Sequence, residues 1–424
     1  MYKNYLMQLK INNLLFISVL FIPAALVTGP FLPDFLISIT SLIFIIYLWS
    51  KNNLFFLIND FFIILLIFYS LITINSFFSN DIFLSIQNTF FYFRFLIFAF
   101  LLKYLIVTNP NFLKYFTISI LTVLIIVSLD AIFENFIGNH WYFDKSNYAE
   151  FNNSKRISGL FDEEYILGGF VLSLFPFSLV ILKYYYNKKV LTNVFFIFLT
   201  FIFIYTILLS GERSTLGKLL ILIISCYSIN YLINYKIKIG IIFFTLLLIF
   251  LIIISQSSLK KRFIHHSYSL IFADDINQFD KEKLNFKNLN IKYFSQEHQD
   301  HAYISLKMFE DKKLFGHGVK MFRILCADDR YYLNNRACST HSHGIIFTFL
   351  SETGLVGFIF LLIFYFILIK NFLNAKNNIE KIFIISIFLY LFPFLPSGYF
   401  FNNYFSIVLY TLVGTYLGVR KLKL

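Results

Sequence analysis

Two short polar runs interrupt long apolar stretches, and both carry side chains able to do chemistry. Thr340-His341-Ser342-His343-Gly344 leads into the apolar run that begins Ile345-Ile346-Phe347. An imidazole titrates near neutral pH, so a histidine held at such an edge suits general-base work on a hydroxyl. His341 and His343 are the candidate catalytic pair. Two ligands without a third at usable spacing make a poor zinc signature, and neither a metal nor a cofactor is expected. Glu352 follows nine positions after His343, about 900° of rotation along a regular helix, so the two should face opposite ways. The second run is Ser210-Gly211-Glu212-Arg213-Ser214-Thr215. An arginine there can grip a phosphate or diphosphate with two parallel hydrogen bonds. The alternative is a local Glu212–Arg213 pair closing a tight turn. Ionisable residues at membrane depth are costly, which favours the functional reading of Arg213.

The elements that position these runs are membrane helices. Of 424 residues, 58% are hydrophobic and 14% charged, a ratio that would leave a soluble domain with an apolar surface. Runs such as Leu14 to Pro33 and Ile239 to Gln256 are long and apolar on every face, which suits spanning helices and not barrel strands. The sequence predicts an all-α polytopic bundle of about 12 transmembrane helices, at roughly 11–29, 32–50, 54–75, 83–107, 112–134, 165–183, 190–209, 214–235, 238–255, 344–369, 381–397 and 400–419. Lys3, Lys10, Lys51, Lys103, Lys114, Lys183, Lys188, Lys189, Lys236, Lys238, Lys370, Lys376, Lys381 and Arg420 to Lys423 fall in one set of connections. The short members of the other set lack lysine. This positive-inside pattern predicts both termini in the cytoplasm. It also accounts for the formal charge of +13 without nucleic acid as a partner. The 59 phenylalanines read as packing and lipid-facing surface. No cleavable signal is evident, and Arg94 is the candidate charge near the bilayer midplane.

Three regions follow: residues 1–255 with nine spans and an outer loop at about 130–164, a large outer loop at 256–343, and residues 344–424 with three spans. Long loops translocate regardless of charge and are seldom idle. Within the large one, 301–309 has a mixed pattern that predicts a short amphipathic helix over the membrane face. Cys326 and Cys338 lie in the same loop. An oxidising compartment would join them, closing about a dozen residues and contributing roughly 3 kcal/mol at best. Cys226, inside a span, reads as a small buried apolar residue. Gly354 and Gly357 read as sites of close helix packing.

The run His341-Ser-His343-Gly-Ile-Ile-Phe-Thr-Phe-Leu-Ser-Glu352-Thr-Gly354-Leu-Val-Gly357 resembles the signature of the O-antigen ligase and O-antigen polymerase superfamily. Leu314-Phe-Gly316-His317-Gly318 resembles its Gly-x-Gly loop, and Arg156-Ile-Ser-Gly159-Leu-Phe161 its preceding outer loop. Two departures stand out. Position 344 is glycine where that family usually has a hydrogen-bonding side chain, and His298, with His301 nearby, stands where it often has a loop arginine. The resemblance implies an inverting glycosyltransferase that needs no metal, acting at the periplasmic face of a bacterial inner membrane. It would move a glycan from a polyprenyl-diphosphate carrier to a hydroxyl of lipid A core, or of another carrier-linked glycan in a polymerase. His343 would be the base and Arg213 the diphosphate ligand, with Arg156, Arg323, His298 and Glu352 contacting substrate. A flippase would instead show midplane charges or an internal repeat; a purely structural or receptor role would not gather His and Arg at one face.

Overall fold

The computed structural model describes residues 2–137, 156–162, 164–185, 190–229, 235–265, 267, 295–334 and 336–422. Both predicted outer loops are therefore described in part, with 138–155 and 268–294 outside the described residues. Among the described residues the secondary structure is helical, with no strand. The main helices are α1 (Tyr2–Leu20), α2 (Phe31–Ser50), α3 (Asp60–Ser76), α4 (Ile82–Thr108), α5 (Phe112–Ile137), α6 (Leu167–Leu174), α7 (Pro176–Tyr185), α8 (Val190–Leu209), α9 (Arg213–Ile229), α10 (Tyr235–Ser255), α11 (Gln296–Asp311), α12 (Ile345–Asn374), α13 (Asn378–Tyr390) and α14 (Asn403–Val419). Each predicted span overlaps a helix. Among the described residues, α2, α4, α5 and α12 are long and apolar enough to cross a membrane by themselves.

Every residue of α14 from Phe405 to Val419 is buried, so this helix is the centre of the bundle. It lies against α4 because Gly414 and Gly418, one turn apart, give up their side chains to the contact. A Cβ at Gly414 would meet the Ala99 carbonyl oxygen at 2.6 Å, and one at Gly418 would meet Ile106 Cβ at 2.8 Å. Helix starts are set by polar caps: Asn59, Asp81 and Asn377 accept the backbone N–H of Phe62, Leu84 and Glu380.

Charges sort between the two ends of the bundle. At one end Lys51 lies over Tyr47, Lys103 over Phe56, and Arg420 against Asn371. At the other, Arg94 pairs with Asp34 in the first turn of α2 at 2.5 Å. Arg94 lies midway along α4, and its side chain reaches Asp34 near the start of α2 and Asn403 at the start of α14.

The predicted helix at 301–309 is longer and belongs to a small unit with its own core within 295–343, here called the cap. α11 buries Asp300, His301, Ala302, Ile304, Ser305 and Met308. Ile304 and Met308 share a small apolar core with Met321, Phe322, Leu325 and Tyr331. Cys326 and Cys338 are disulfide-bonded at its edge, Cα to Cα 5.1 Å. The span predicted to reach 397 stops earlier. α13 ends at Tyr390, because Pro393 and Pro396 withhold backbone donors and disfavour helix in the residues before them. The resulting loop, 391–402, carries Ser397 and Tyr399 toward the cap.

Candidate functional site

The predicted geometry of α12 assumed a regular helix, and the helix is broken. Residues Phe349–Thr353 form a π turn, and Gly354 restarts the helix at φ 63°, a conformation that favours glycine. A restarted helix exposes new N–H groups. The neighbouring loop takes them up: Leu355 N–H donates to the Lys313 carbonyl at 2.7 Å and Val356 N–H to that of Leu314 at 3.1 Å. In return His317 N–H donates to Ser351 and Gly318 N–H to Glu352. The two backbones touch so closely that a Cβ on Gly316 would lie 2.6 Å from Glu352 C, and one on Gly354 2.4 Å from the Leu314 oxygen. Gly354 thus serves loop-to-helix contact, not the helix-to-helix packing expected of it.

The same geometry buries Glu352 completely, and it is not among the residues lining the cavity described below. Its carboxylate accepts the Tyr399 hydroxyl at 2.5 Å and the Phe322 N–H at 3.3 Å. Tyr399 in turn accepts the Lys320 N–H at 2.8 Å. Glu352 ties α12, the cap and the 391–402 loop together.

Above the break the imidazoles converge. His343 sits at φ 53°, held by Ser397 N–H donating to its carbonyl at 3.0 Å, while Ser342 bonds Thr348 at 2.8 Å. Its ring centre lies 3.9 Å from that of His341, 5.1 Å from His301 and 5.3 Å from His298. The Ser339 hydroxyl reaches His343 Nε2 at 3.2 Å, supplying a contact that Gly344 has no side chain to make. Burial pushes His343 down to about 2 and His341 to about 4, each helped by neighbouring imidazoles and, for His341, by Lys320 and Arg323. Burial also lowers His298 and His301. At neutral pH these rings are uncharged, the state a base requires.

Facing them is a cationic wall built on the turn between α8 and α9. Glu212 does not pair with Arg213. Its carboxylate accepts the N–H groups of Gly168 and Gly169 at the start of α6, at 2.8 and 3.2 Å, and the Thr215 hydroxyl at 2.6 Å. Arg156 lies over the Tyr165 ring and donates through Nε to the Ser210 carbonyl at 3.3 Å. Between the two walls is a cavity of about 810 Å³. Arg156, Arg213, Arg323, His298, His341 and His343, all expected site residues, line it. So do Lys218, Arg262, Tyr399 and Tyr404, which the sequence reading missed. The signal for Arg262 was available: Lys260-Lys261-Arg262 directly follows a long apolar run on the side where short connections lack lysine. The lining also includes the apolar Phe170, Leu172, Leu222, Leu389 and Phe405.

Residues 198–362 match the family model described as O-antigen ligase. This segment belongs to the O-antigen ligase and polymerase superfamily. With the apolar helices, the match supports a membrane protein of O-antigen biosynthesis type. No curated protein matches the chain. The O-antigen ligase segment contains Arg213, Arg262, His298, Arg323, His341, His343 and Glu352, whereas Arg156 and Tyr399 come from outside it to the same cavity or its wall.

Proposed function

We propose that this protein is a glycosyltransferase that moves a glycan from a polyprenyl-diphosphate carrier to a sugar hydroxyl, with lipid A core as the acceptor. One observation carries the reading: guanidinium groups, neutral imidazoles and apolar side chains line one cavity. The cations suit a diphosphate leaving group, the imidazoles an acceptor proton, and the apolar lining the first isoprene units of a carrier.

In the reaction the acceptor oxygen attacks the anomeric carbon and its proton passes to His343. The bond from that carbon to the diphosphate oxygen breaks, and the carrier diphosphate leaves against Arg213 and Arg156. One direct displacement inverts the anomeric centre. The cationic side chains take the electrostatic part that a metal plays elsewhere. His341 and His298 flank the base, and Arg323 stands on the imidazole side, against His341 and Lys320. In this reading the cavity is on the periplasmic side and both termini are in the cytoplasm, which the positive-inside pattern supports.

The test is transfer by purified protein with His343→Ala. Removal of a general base lowers the rate about 10²–10⁴-fold, and wild-type transfer at equal protein level overturns the assignment. Deletion of the gene separates the acceptors. Unmodified lipid core with long carrier-linked glycan identifies a ligase, single-repeat caps identify a polymerase, and unchanged surface glycan excludes both.

A further inference from the structure

The turn that reverses α8 into α9 is a platform for arginines. Gly211 sits at φ 65°, and its neighbours press in from both sides: a Cβ there would lie 3.5 Å from Arg262 Cγ and 3.6 Å from Arg156 Cγ. The two side chains are anchored alike. Arg156 donates Nε to the Ser210 carbonyl, and Arg262 donates Nε to the next carbonyl, Gly211, at 3.2 Å. Arg213 follows at the first position of α9. Three guanidinium groups from three separate segments thus share one turn and one cavity. Like charges brought together and partly desolvated repel, and an anion between them reverses the sign of that energy. Glu212 offsets part of this repulsion at Arg156, but its carboxylate is held by Gly168, Gly169 and Thr215 and is not among the charges acting on Arg213 or Arg262.

We propose that Arg262 is the third arm of a diphosphate grip with Arg156 and Arg213. This rests on the transferase reading and names a residue that the reading leaves unassigned. A guanidinium with its Nε tied to the backbone presents its remaining N–H donors in a fixed direction, suited to oxygen atoms of a phosphate group. Three cations also match a diphosphate better than a monophosphate, so Arg262 sets that preference as well as affinity.

Farnesyl diphosphate and farnesyl monophosphate are the probes, with the full chain in lipid nanodiscs. Wild type binds the diphosphate more tightly than the monophosphate. Arg262→Ala weakens diphosphate binding about 10–100-fold, the range for a charge-assisted contact, and erodes the preference. Lys260→Ala, an exposed neighbour, changes neither. If the alanine variant does not fold, Arg262→Gln decides, since it keeps a donor for Gly211 and removes the charge. Wild-type affinity and preference in a folded Arg262 variant overturn the proposal while leaving the transferase reading intact. A wild-type protein that shows no diphosphate preference overturns both.

Discussion

The Ser339 hydroxyl and His343 Nε2 are 3.2 Å apart, four residues along the chain and on opposite sides of a tight loop. Ser339 follows Cys338, whose disulfide partner Cys326 places its sulfur near the Ser339 carbonyl. The cap therefore holds the serine, and the serine holds the ring. Ser339→Ala removes one hydrogen bond worth about 0.5–1.5 kcal/mol, so kcat falls about 2–10-fold while the donor KM stays constant. Ser339→Thr, which keeps the hydroxyl, restores most of the rate. An alanine variant with wild-type kcat, or one that changes only KM, removes Ser339 from the positioning of the base.

Much of this arrangement was legible in residue types and spacing, because the runs that carry it are polar islands in apolar sequence. His341, His343 and Arg213 stand out for that reason, and the structure brings them to one cavity with Arg156, Arg323 and His298. What could not be read depends on backbone geometry. The nine-residue interval from His343 to Glu352 assumed 100° per residue, and the π turn at Phe349–Thr353 voids that arithmetic. Close helix packing was assigned to Gly354 and Gly357, whereas Gly414 and Gly418 make it, since periodicity does not say which small residues face a neighbour. Arg262 was hidden by the ambiguity of loop charges, which topology neither requires nor forbids.

The imidazole cluster predicts an ordered pair of pH profiles. His343 faces His341 from its own loop and His298 and His301 from α11; Arg213 acts on His298, and Lys320 and Arg323 act on His341. Burial and these neighbours lower the histidines in the folded protein, whereas in the unfolded chain they titrate near 6.5. The sign follows. As pH falls the unfolded state takes up protons first, so the stability tied to neutral imidazoles is fully present above pH ~6.5 and is lost as pH drops toward the folded values. Thermal midpoints should decline below that pH, and less so in a His301→Gln variant. For the rate, the free-enzyme base stays unprotonated in acid, and the acid limb of kcat/KM lies below pH ~6.5. A bound diphosphate brings negative charge to the cluster and raises its affinity for protons. The acid limb of kcat should therefore lie at higher pH than that of kcat/KM. The reverse order would contradict an anion bound beside the base.

Glu352 gives the sharpest contrast between two roles, because both were open to a carboxylate in this motif. As a substrate ligand its loss would raise the donor KM in a stable protein. As placed, it accepts from Tyr399 and Phe322 inside a fully buried junction. Glu352→Ala leaves two buried donors without an acceptor, each costing about 1–3 kcal/mol. The expected result is a lower thermal midpoint and poor recovery in nanodiscs. The folded fraction should keep a donor KM close to wild type. Glu352→Gln retains an acceptor oxygen for one of the two donors and should fall between. The junction also sets Tyr399, whose hydroxyl spans Glu352 and the Lys320 N–H while its ring lines the cavity beside His341. Loosening it should therefore lower kcat before it weakens donor binding. An alanine variant with an unchanged midpoint and a tenfold higher donor KM would return Glu352 to the substrate side.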